Sequence, residues 1–469
     1  MVHETELIWI TNATFSLSRG ETKIIFDPWG SETASYGSWY HYPPLSEDTK
    51  SLIFKEKYDA IFISHHHTDH FDHRTINLIM AQNQKTKVFF SDACSTILSH
   101  PIKVLKERFG ADRVIIAVDS EPIKVGSFEL RYFRSDFCDP QICGAVIGCL
   151  KPNFRTRSID SFIVIDVEGT RIINFNDSLI RLIQPSIKEI IDDADVVMGL
   201  FGGAGPYPQS FPELREKREL GINLAQKFID DLILISTTLK AKYIFPFSGQ
   251  YVLGGKLTHL NRYRAMIPIT EAHKKINDFF KGEKYSVDVN LGKKWFIPDQ
   301  LSKSCISKQP LVEERYIEMS KNDLSSYLEK ISNEKFPYEK FDYSRITRHR
   351  MIKLLRKSTE RYNKAVTEAQ VSDSHSILIE PQGKDYIWEI DSQASTPGML
   401  RELNYKPSKG AYTLIKIDER LLFTTINRKI GFNGYTTAHW TNIHGGSHLE
   451  FYQSGYSSAA LYFLNFFHV

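Results

Sequence analysis

Residues Tyr58-Asp59-Ala60-Ile61-Phe62-Ile63-Ser64-His65-His66-His67-Thr68-Asp69-His70 join a short apolar run to a complete His-x-His-x-Asp-His pattern. An apolar run of this length, bounded by polar residues, reads as a buried strand whose following loop emerges at its C-terminal edge. Layered α/β folds commonly place binding and catalytic groups there. In an extended segment positions 65 and 67 point to the same side, so both imidazoles reach one ion while His66 faces away. Asp69 and His70 turn past that ion and serve a second one, an arrangement suited to clamping an attacking and a leaving oxygen. A merely solvated histidine-rich loop requires neither Asp69 nor the apolar strand in front of it.

Working outward, Ile24-Ile25-Phe26-Asp27-Pro28-Trp29 is a second apolar run that ends on an aspartate, and Arg171-Ile172-Ile173-Asn174-Phe175-Asn176-Asp177-Ser178 is a third. With the histidine loop, these runs resemble the metallo-β-lactamase fold superfamily. The resemblance implies an α/β fold, the metallo-β-lactamase αβ/βα sandwich, with Asp27 supporting the site and Asp177 bridging two ions. Asn176 stands where many relatives have glycine.

The chain departs from that family in two places. Between the first motif and Asp177 the family adds a histidine to the first metal, yet residues 71 to 176 contain only His73 and His100. His73 is too close in sequence, and His100, in Leu98-Ser99-His100-Pro101, reads as a surface helix boundary. The expected strand-end position is Ser135-Asp136-Phe137-Cys138-Asp139, so Asp136, Cys138 or Asp139 is the candidate replacement. At the last metal motif, the strand Ala241 to Phe247 ends in Ser248-Gly249-Gln250, and no histidine follows until His259, which sits among Lys256, Arg262 and Arg264.

Softer similarities narrow the resemblance. Asp195 to Leu200 leading into Phe201-Gly202-Gly203-Ala204-Gly205-Pro206-Tyr207-Pro208, the run Phe245 to Tyr251, and the C-terminal stretches His439 to Phe451 and Leu464 to His468 resemble the CMP-N-acetylneuraminate hydroxylases. That branch implies Tyr207, Gln250, Lys256, His259 and Arg262 near the mouth of the site, where cations steer an anionic substrate. Those hydroxylases carry a Rieske cluster, which needs two close Cys/His ligand pairs. None of Cys94, Cys138, Cys143, Cys149 and Cys305 forms such a pair, so these cysteines build no Rieske cluster.

Composition bounds the rest. With 469 residues, 42% apolar and 25% charged, the chain reads as a globular protein of roughly two or three domains. A net charge of +3 points to neither nucleic-acid wrapping nor membrane adhesion. Five scattered cysteines do not read as a disulfide framework. Met1 to Glu6 shows no signal peptide and no apolar run approaches the ~20 residues of a membrane span, so the expected compartment is the cytoplasm.

Short strands at Leu7 to Ile10, Lys23 to Phe26, Ala60 to Ser64, Lys87 to Phe90 and Arg113 to Ala117 alternate with helical stretches, and Gly221 to Leu239 reads as a long amphipathic helix. Rising lysine content from Lys281 to Lys308, with Pro298 and Pro310, places a boundary near residue 300. The expected division is a catalytic domain at 1–298 and a smaller α+β domain at 299–469 that shapes the substrate site or binds a partner. In the latter, Leu324 to Ile331 and Arg345 to Val366 read as helices, and Ser376 to Glu380, Tyr386 to Asp391, Tyr412 to Asp418 and Leu421 to Thr425 as strands. The basic run Arg345, Arg348, His349, Arg350, Lys353, Arg356 and Lys357 reads first as a solvated helix face. His439, His444 and His448 fit no metal motif and read as structural or substrate-contacting.

Two imidazoles and one carboxylate with open positions form the ligand set of non-haem iron oxygenases. The leading expectation is therefore a (di)iron monooxygenase of a small polar or anionic metabolite. Its ligands are His65, His67, Asp69, His70 and Asp177, with Asp136 or Cys138 as a further one, Asp69 and Asp177 are its catalytic carboxylates, and its electrons come from a separate protein, from the substrate or from an added reductant. The alternative is a two-zinc hydrolase of phosphodiester, lactone or amide bonds that uses metal-bound hydroxide. A third reading is a binding protein that keeps one structural ion.

Overall fold

The computed structural model describes residues 4–94, 98–134, 160–301, 309–340, 344, 346–368, 370, 375–391, 399–404, 412–427, 443 and 445–453. The strand predicted from the opening motif is Ala60–Ile63, and its alternation explains the layering. Ala60 and Phe62 enter the core between two sheets, while Ile61 and Ile63 enter a second core under helices. A parallel strand buried on both faces needs apolar residues at every position, which is why this run is continuous.

Eight strands form the first sheet, in the order Leu311–Val312, Lys294–Ile297, Thr5–Thr11, Thr14–Arg19, Thr22–Phe26, Ala60–Ile63, Lys87–Ser91 and Val114–Ala117. Its first half is antiparallel, and the last four strands run parallel. Helices Glu47–Phe54, His73–Gln82 and Ser99–Phe109 accompany those parallel crossovers, and residues from all three join the outer core. The second sheet has seven strands, in the order Tyr285–Ser286, Tyr243–Pro246, Val196–Gly199, Thr170–Asn174, Ser161–Val167, Phe128–Arg134 and Ile123–Val125. The helix Lys217–Thr238 packs on it through Ala225, Ile229, Leu232 and Ile235. Helices thus flank two apposed sheets.

Between the sheets, Phe15, Phe26, Phe62 and Phe89 stack in a row across four strands, with centroid separations of 4.4, 5.2 and 5.1 Å. Buried side chains of this size contribute roughly 1.5–3 kcal/mol each through area alone, and offset stacking adds to that. The row lies directly beneath the histidine loop, because Phe62 is three residues before His65.

A five-stranded sheet forms the C-terminal part, in the order Leu400–Leu403, Ile387–Asp391, Ser376–Pro381, Tyr412–Ile417 and Glu450–Gln453, with the helices Arg348–Glu368 and Glu419–Ile426. The last helix corrects the expected strand at Leu421 to Thr425. Asp418 caps it by accepting from Arg420 N, and Thr425 Oγ1 donates back to Leu421 O. All of Leu421 to Ile426 is buried, so the short run carries no periodicity that separates helix from strand. Near residue 300, Lys294–Ile297 and Leu311–Val312 are paired strands of the first sheet, which therefore reaches Val312. Arg345, His439 and His444 lie outside the described residues. No helix among the described residues is long and apolar enough to cross a membrane.

The C-terminal part is fastened to the two-sheet sandwich at His448. Its Nε2 lies 3.1 Å from Ser35 O, and the rings of Phe336, Tyr338 and Tyr36 surround it. Burial pushes its pKa down to about 3, with the charge of Lys256 acting in the same direction. Unfolding returns the ring to an ordinary value near 6.5. Between those values the unfolded chain binds a proton that the folded one refuses, so stability present above about pH 6.5 is lost as pH falls. His41 and His273, each lowered to about 4 chiefly by burial, act in the same window. His448→Gln is expected to flatten the fall in unfolding free energy below pH 6.5 by up to about 1.4 kcal/mol per pH unit. Denaturant titrations at several pH values check this, and an unchanged slope counts against a buried neutral His448.

Candidate metal centre

Four carboxyl-terminal strand ends converge on one place. Asp27 follows Thr22–Phe26, the histidine loop follows Ala60–Ile63, Asp177 follows Thr170–Asn174, and Ser248 follows Tyr243–Pro246. The first two belong to one sheet and the last two to the other, so the centre lies at the seam of the sandwich. Asn176 adopts φ +48°, a left-handed conformation that asparagine tolerates better than most residues. Asn174 holds this turn by donating from Nδ2 to Asn176 Oδ1 and accepting from Asn176 N.

His65, His67 and Asp177 form the first group of donors, with their nearest ligand atoms all within 4.8 Å of one another. His65 Nε2 lies 2.7 Å from His67 Nδ1 and 3.9 Å from Asp177 Oδ2. Ser64 Oγ, 2.9 Å from His65 Nδ1, turns the other ring nitrogen inward. Burial lowers the pKa of both rings, and for His65 the neighbouring histidines add to the effect. Neutral imidazoles are the form that binds metal.

His70, Asp69 and the second oxygen of Asp177 make the other group. His70 Nε2 lies 3.4 Å from Asp69 Oδ2 and 3.3 Å from Asp177 Oδ1. Asn12 Nδ2 donates to Asp69 Oδ2 at 2.9 Å. Burial alone would favour neutral His70, but the carboxylates of Asp177, Asp69 and Asp27 outweigh it and raise its pKa well above the usual value. Such a field attracts cations, and a metal ion held there would stand in for the ring proton. The two oxygens of Asp177 thus face two donor groups, which is the geometry of a bridge.

Asp27 is bonded to residues of the histidine loop at both of its ends. Its carboxylate accepts from Ser64 N at 2.8 Å, from Ser64 Oγ at 2.6 Å and from His70 Nδ1 at 2.8 Å. The last bond fixes the tautomer that leaves His70 Nε2 inward.

Sequence reasoning missed Asp160. Its Oδ1 lies 3.7 Å from His65 Nε2, and it immediately precedes the strand Ser161–Val167. Ser161 pairs with Arg134, the residue that precedes Ser135 in sequence. The signal available was this register, which the sequence alone does not fix. Asp136, Cys138 and Asp139 lie outside the described residues. His100 is exposed in the first turn of its helix, and His73 lies against Asn77. At the position of the last family histidine, Ser248 Oγ donates to Asp177 Oδ1 at 3.3 Å.

The expected substrate residues divide. Gln250 is buried two residues from Ser248, and its Oε1 accepts no hydrogen bond among the described residues. Tyr207 is 37% exposed and packs on Phe211. Lys256 pairs with Glu339 at 3.4 Å and Asp418 at 3.5 Å, which commits it to the C-terminal part. His259 bonds Lys256 O, and Arg262 stacks on Tyr263. None of the hydrogen bonds or ion pairs made by these last three among the described residues reaches the donor groups.

Asp27→Asn keeps the side-chain volume but replaces one acceptor by a donor facing Ser64 and His70. It is expected to weaken metal binding by roughly 10–100-fold while the protein stays folded. Competition with a graded chelator checks this, and unaltered affinity would remove Asp27 from the centre.

Residues 6–209 match the beta-lactamase superfamily domain. The cytidine monophosphate-N-acetylneuraminic acid hydroxylase of Danio rerio is 23% identical over 255 residues, which cover 53% of this chain. The match spans 38% of that relative's length. Among solved structures, CmlA, a diiron beta-hydroxylase from Streptomyces venezuelae, aligns at 16% identity and a TM-score of 0.37, covering 60% of this chain and 52% of that one. Igni18, a metallo hydrolase from the archaeon Ignicoccus hospitalis, aligns at 15% identity and a TM-score of 0.35, covering 66% and 98%. Over residues 6–209 the chain is similar to the beta-lactamase superfamily domain, and the histidine loop and Asp177 lie within that stretch.

Proposed function

We propose that the protein is a non-haem diiron monooxygenase of a small polar or anionic metabolite, with its catalytic unit at 1–298 and a C-terminal domain at 299–469 that shapes access to the site. One observation carries this reading. The convergent donors are two imidazoles and carboxylate oxygen, with a further carboxylate, Asp160, 3.7 Å from His65 and a serine where the family places its last histidine. An oxygen-rich set with open positions suits iron better than the three-nitrogen sites that favour zinc. The hydroxylase relative supports the same choice.

Iron, when bound, supplies the activation of dioxygen. The chain's own residues do the rest. His65 and His67, neutral through burial, present one ligand atom each. Asp177 would hold both ions, one through each oxygen, and Ser248 Oγ orients it by donating to Oδ1. Asp69, held by Asn12, and His70, held by Asp27, complete the second group. Asp160 stands as the further ligand of the first. The five cysteines of this sequence form no Cys-x-His or Cys-x-x-His pair, and the reading draws electrons from a separate protein, the substrate or an added reductant.

Protein produced in iron-rich and in zinc-rich media is expected to hold iron at about two ions per chain and to consume oxygen in the presence of a reductant and substrate. His67→Ala and Asp177→Ala are expected to lose at least ~100-fold of that uptake, because each removes a ligand shared by the reacting centre. Two zinc ions, no iron and hydrolysis of a phosphodiester, lactone or amide would overturn the reading in favour of a hydrolase. A His67→Ala variant that loses only thermal stability, in a protein without turnover, would leave a structural ion.

A further inference from the structure

Arg264 is a guanidinium in the interior, 7% exposed, that makes no ion pair with an acidic side chain among the described residues. Its Cζ lies 3.7 Å from the centre of the Tyr251 ring. Its Nη2 reaches Gly249 O at a long 3.5 Å and Met266 Sδ at 3.3 Å, and its Nε has no hydrogen-bond partner among the described residues. A cation buried without an anion is among the costliest arrangements a fold can hold. A weak carbonyl contact, the ring of Tyr251 and the phenol oxygens of Tyr251 and Tyr42 supply polarity but no full negative charge, and do not offset it fully.

Its position is as telling as its solvation. Gly249 lies between Ser248, which donates to Asp177, and Gln250, whose Oε1 lacks a donor. Tyr251 stacks on Trp39 at 3.6 Å and is close enough to Asp69 and Asp177 to feel both charges. The guanidinium therefore hangs on the same turn that touches the bridging carboxylate.

The surrounding backbone is built tightly around it. Gly203 N donates to Ala265 O at 2.7 Å, and a Cβ at Gly203 would meet Ala265 Cβ at 2.9 Å. A Cβ at Gly221 would meet Tyr263 O at 2.8 Å and Arg264 O at 2.9 Å. Gly249, at φ +78°, closes the third side against Gly202 O. Three glycines thus let three backbone segments fix one arginine, which is the support a binding group needs to hold its geometry.

We propose that Arg264 anchors the carboxylate of a small monoanionic substrate beside the metal centre, with Gln250 Oε1 accepting from a neighbouring hydroxyl or N–H of the same molecule. The planar fork of N–H donors matches two carboxylate oxygens. One positive charge neutralises one negative charge, whereas a phosphate dianion would leave an uncompensated charge in the interior near Asp69 and Asp177. The inference rests on the reading of the centre as catalytic, and it assigns the substrate class.

The test uses the full chain stripped of metal, so that it is independent of which ion the centre holds. Thermal melting is followed against sodium acetate, inorganic phosphate and sodium chloride at constant ionic strength. Acetate alone is expected to raise the melting temperature in a saturable way. Arg264→Met is expected to weaken that response by about tenfold or more without lowering the melting temperature in the absence of anion, since it removes an unpaired buried charge. Should Arg264→Met fail to fold, Arg264→Lys keeps the charge but not the fork and is expected to bind acetate about tenfold less tightly. An equal acetate response in the variants, a response to phosphate or chloride as strong as to acetate, or no response in the unaltered protein overturns the proposal. Metal content is measured on the same variants and is expected to be unchanged. Loss of metal together with the acetate response would make Arg264 a structural residue and overturn its assignment, whereas failure of the iron reading shows as a change in metal identity with the acetate response intact.

Discussion

One buried carboxylate, that of Asp27, governs this site. Asp27 is 1% exposed and spends both oxygens on its neighbours, taking the backbone N–H and the hydroxyl of Ser64 and the Nδ1 proton of His70. Its own backbone is equally committed, with N–H donating to Phe62 O and its carbonyl accepting from Thr14 Oγ1. It also sits at φ +42°, which only a well-supported turn maintains. Removing one partner of such a network leaves the others buried and unpaired, so the network behaves as a unit. The first and last residues of the histidine loop are held from one point, and the loop between them has little freedom left.

This arrangement explains why the two donor groups differ in electrostatic character. His65 and His67 meet each other's rings and one oxygen of Asp177, and burial leaves them neutral. His70 meets three carboxylates and holds its proton tightly. One aspartate, Asp177, belongs to both environments through its two oxygens. The difference follows from which strand end each residue occupies, and the seam between two sheets is the only place where these strand ends meet.

Much of this was legible in the chain. Ala60 to Ile63, the His-x-His-x-Asp-His pattern, Asp27 and Asp177 are local signals, each readable from a few neighbouring residues, and they specify the sandwich because each lies at a strand end. Asp160 was not legible, since its approach to His65 depends on the pairing register of Ser161 with Arg134. The surroundings of Lys256 are set at long range too. A lysine near a site motif reads as substrate-facing, but Glu339 and Asp418, far away in sequence, claim it. Arg264 carried no motif at all, and only its burial without an acidic partner distinguishes it. The Leu421 to Ile426 helix shows the limit of periodicity when every side of a short element is buried.

Outside the two large sheets, Trp39–His41 pairs with Tyr251–Leu253 and with Thr33–Ala34 in a small third sheet. One partner comes from the segment after Asp27 and the other from the segment after Ser248, so main-chain hydrogen bonds span the mouth of the seam. Loops that would each lose conformational entropy on closing around a guest are already closed by this pairing. The ordering cost is met during folding, when the ribbon forms, and not when a ligand arrives. The walls beside the centre are consequently shaped by the folding of the chain itself.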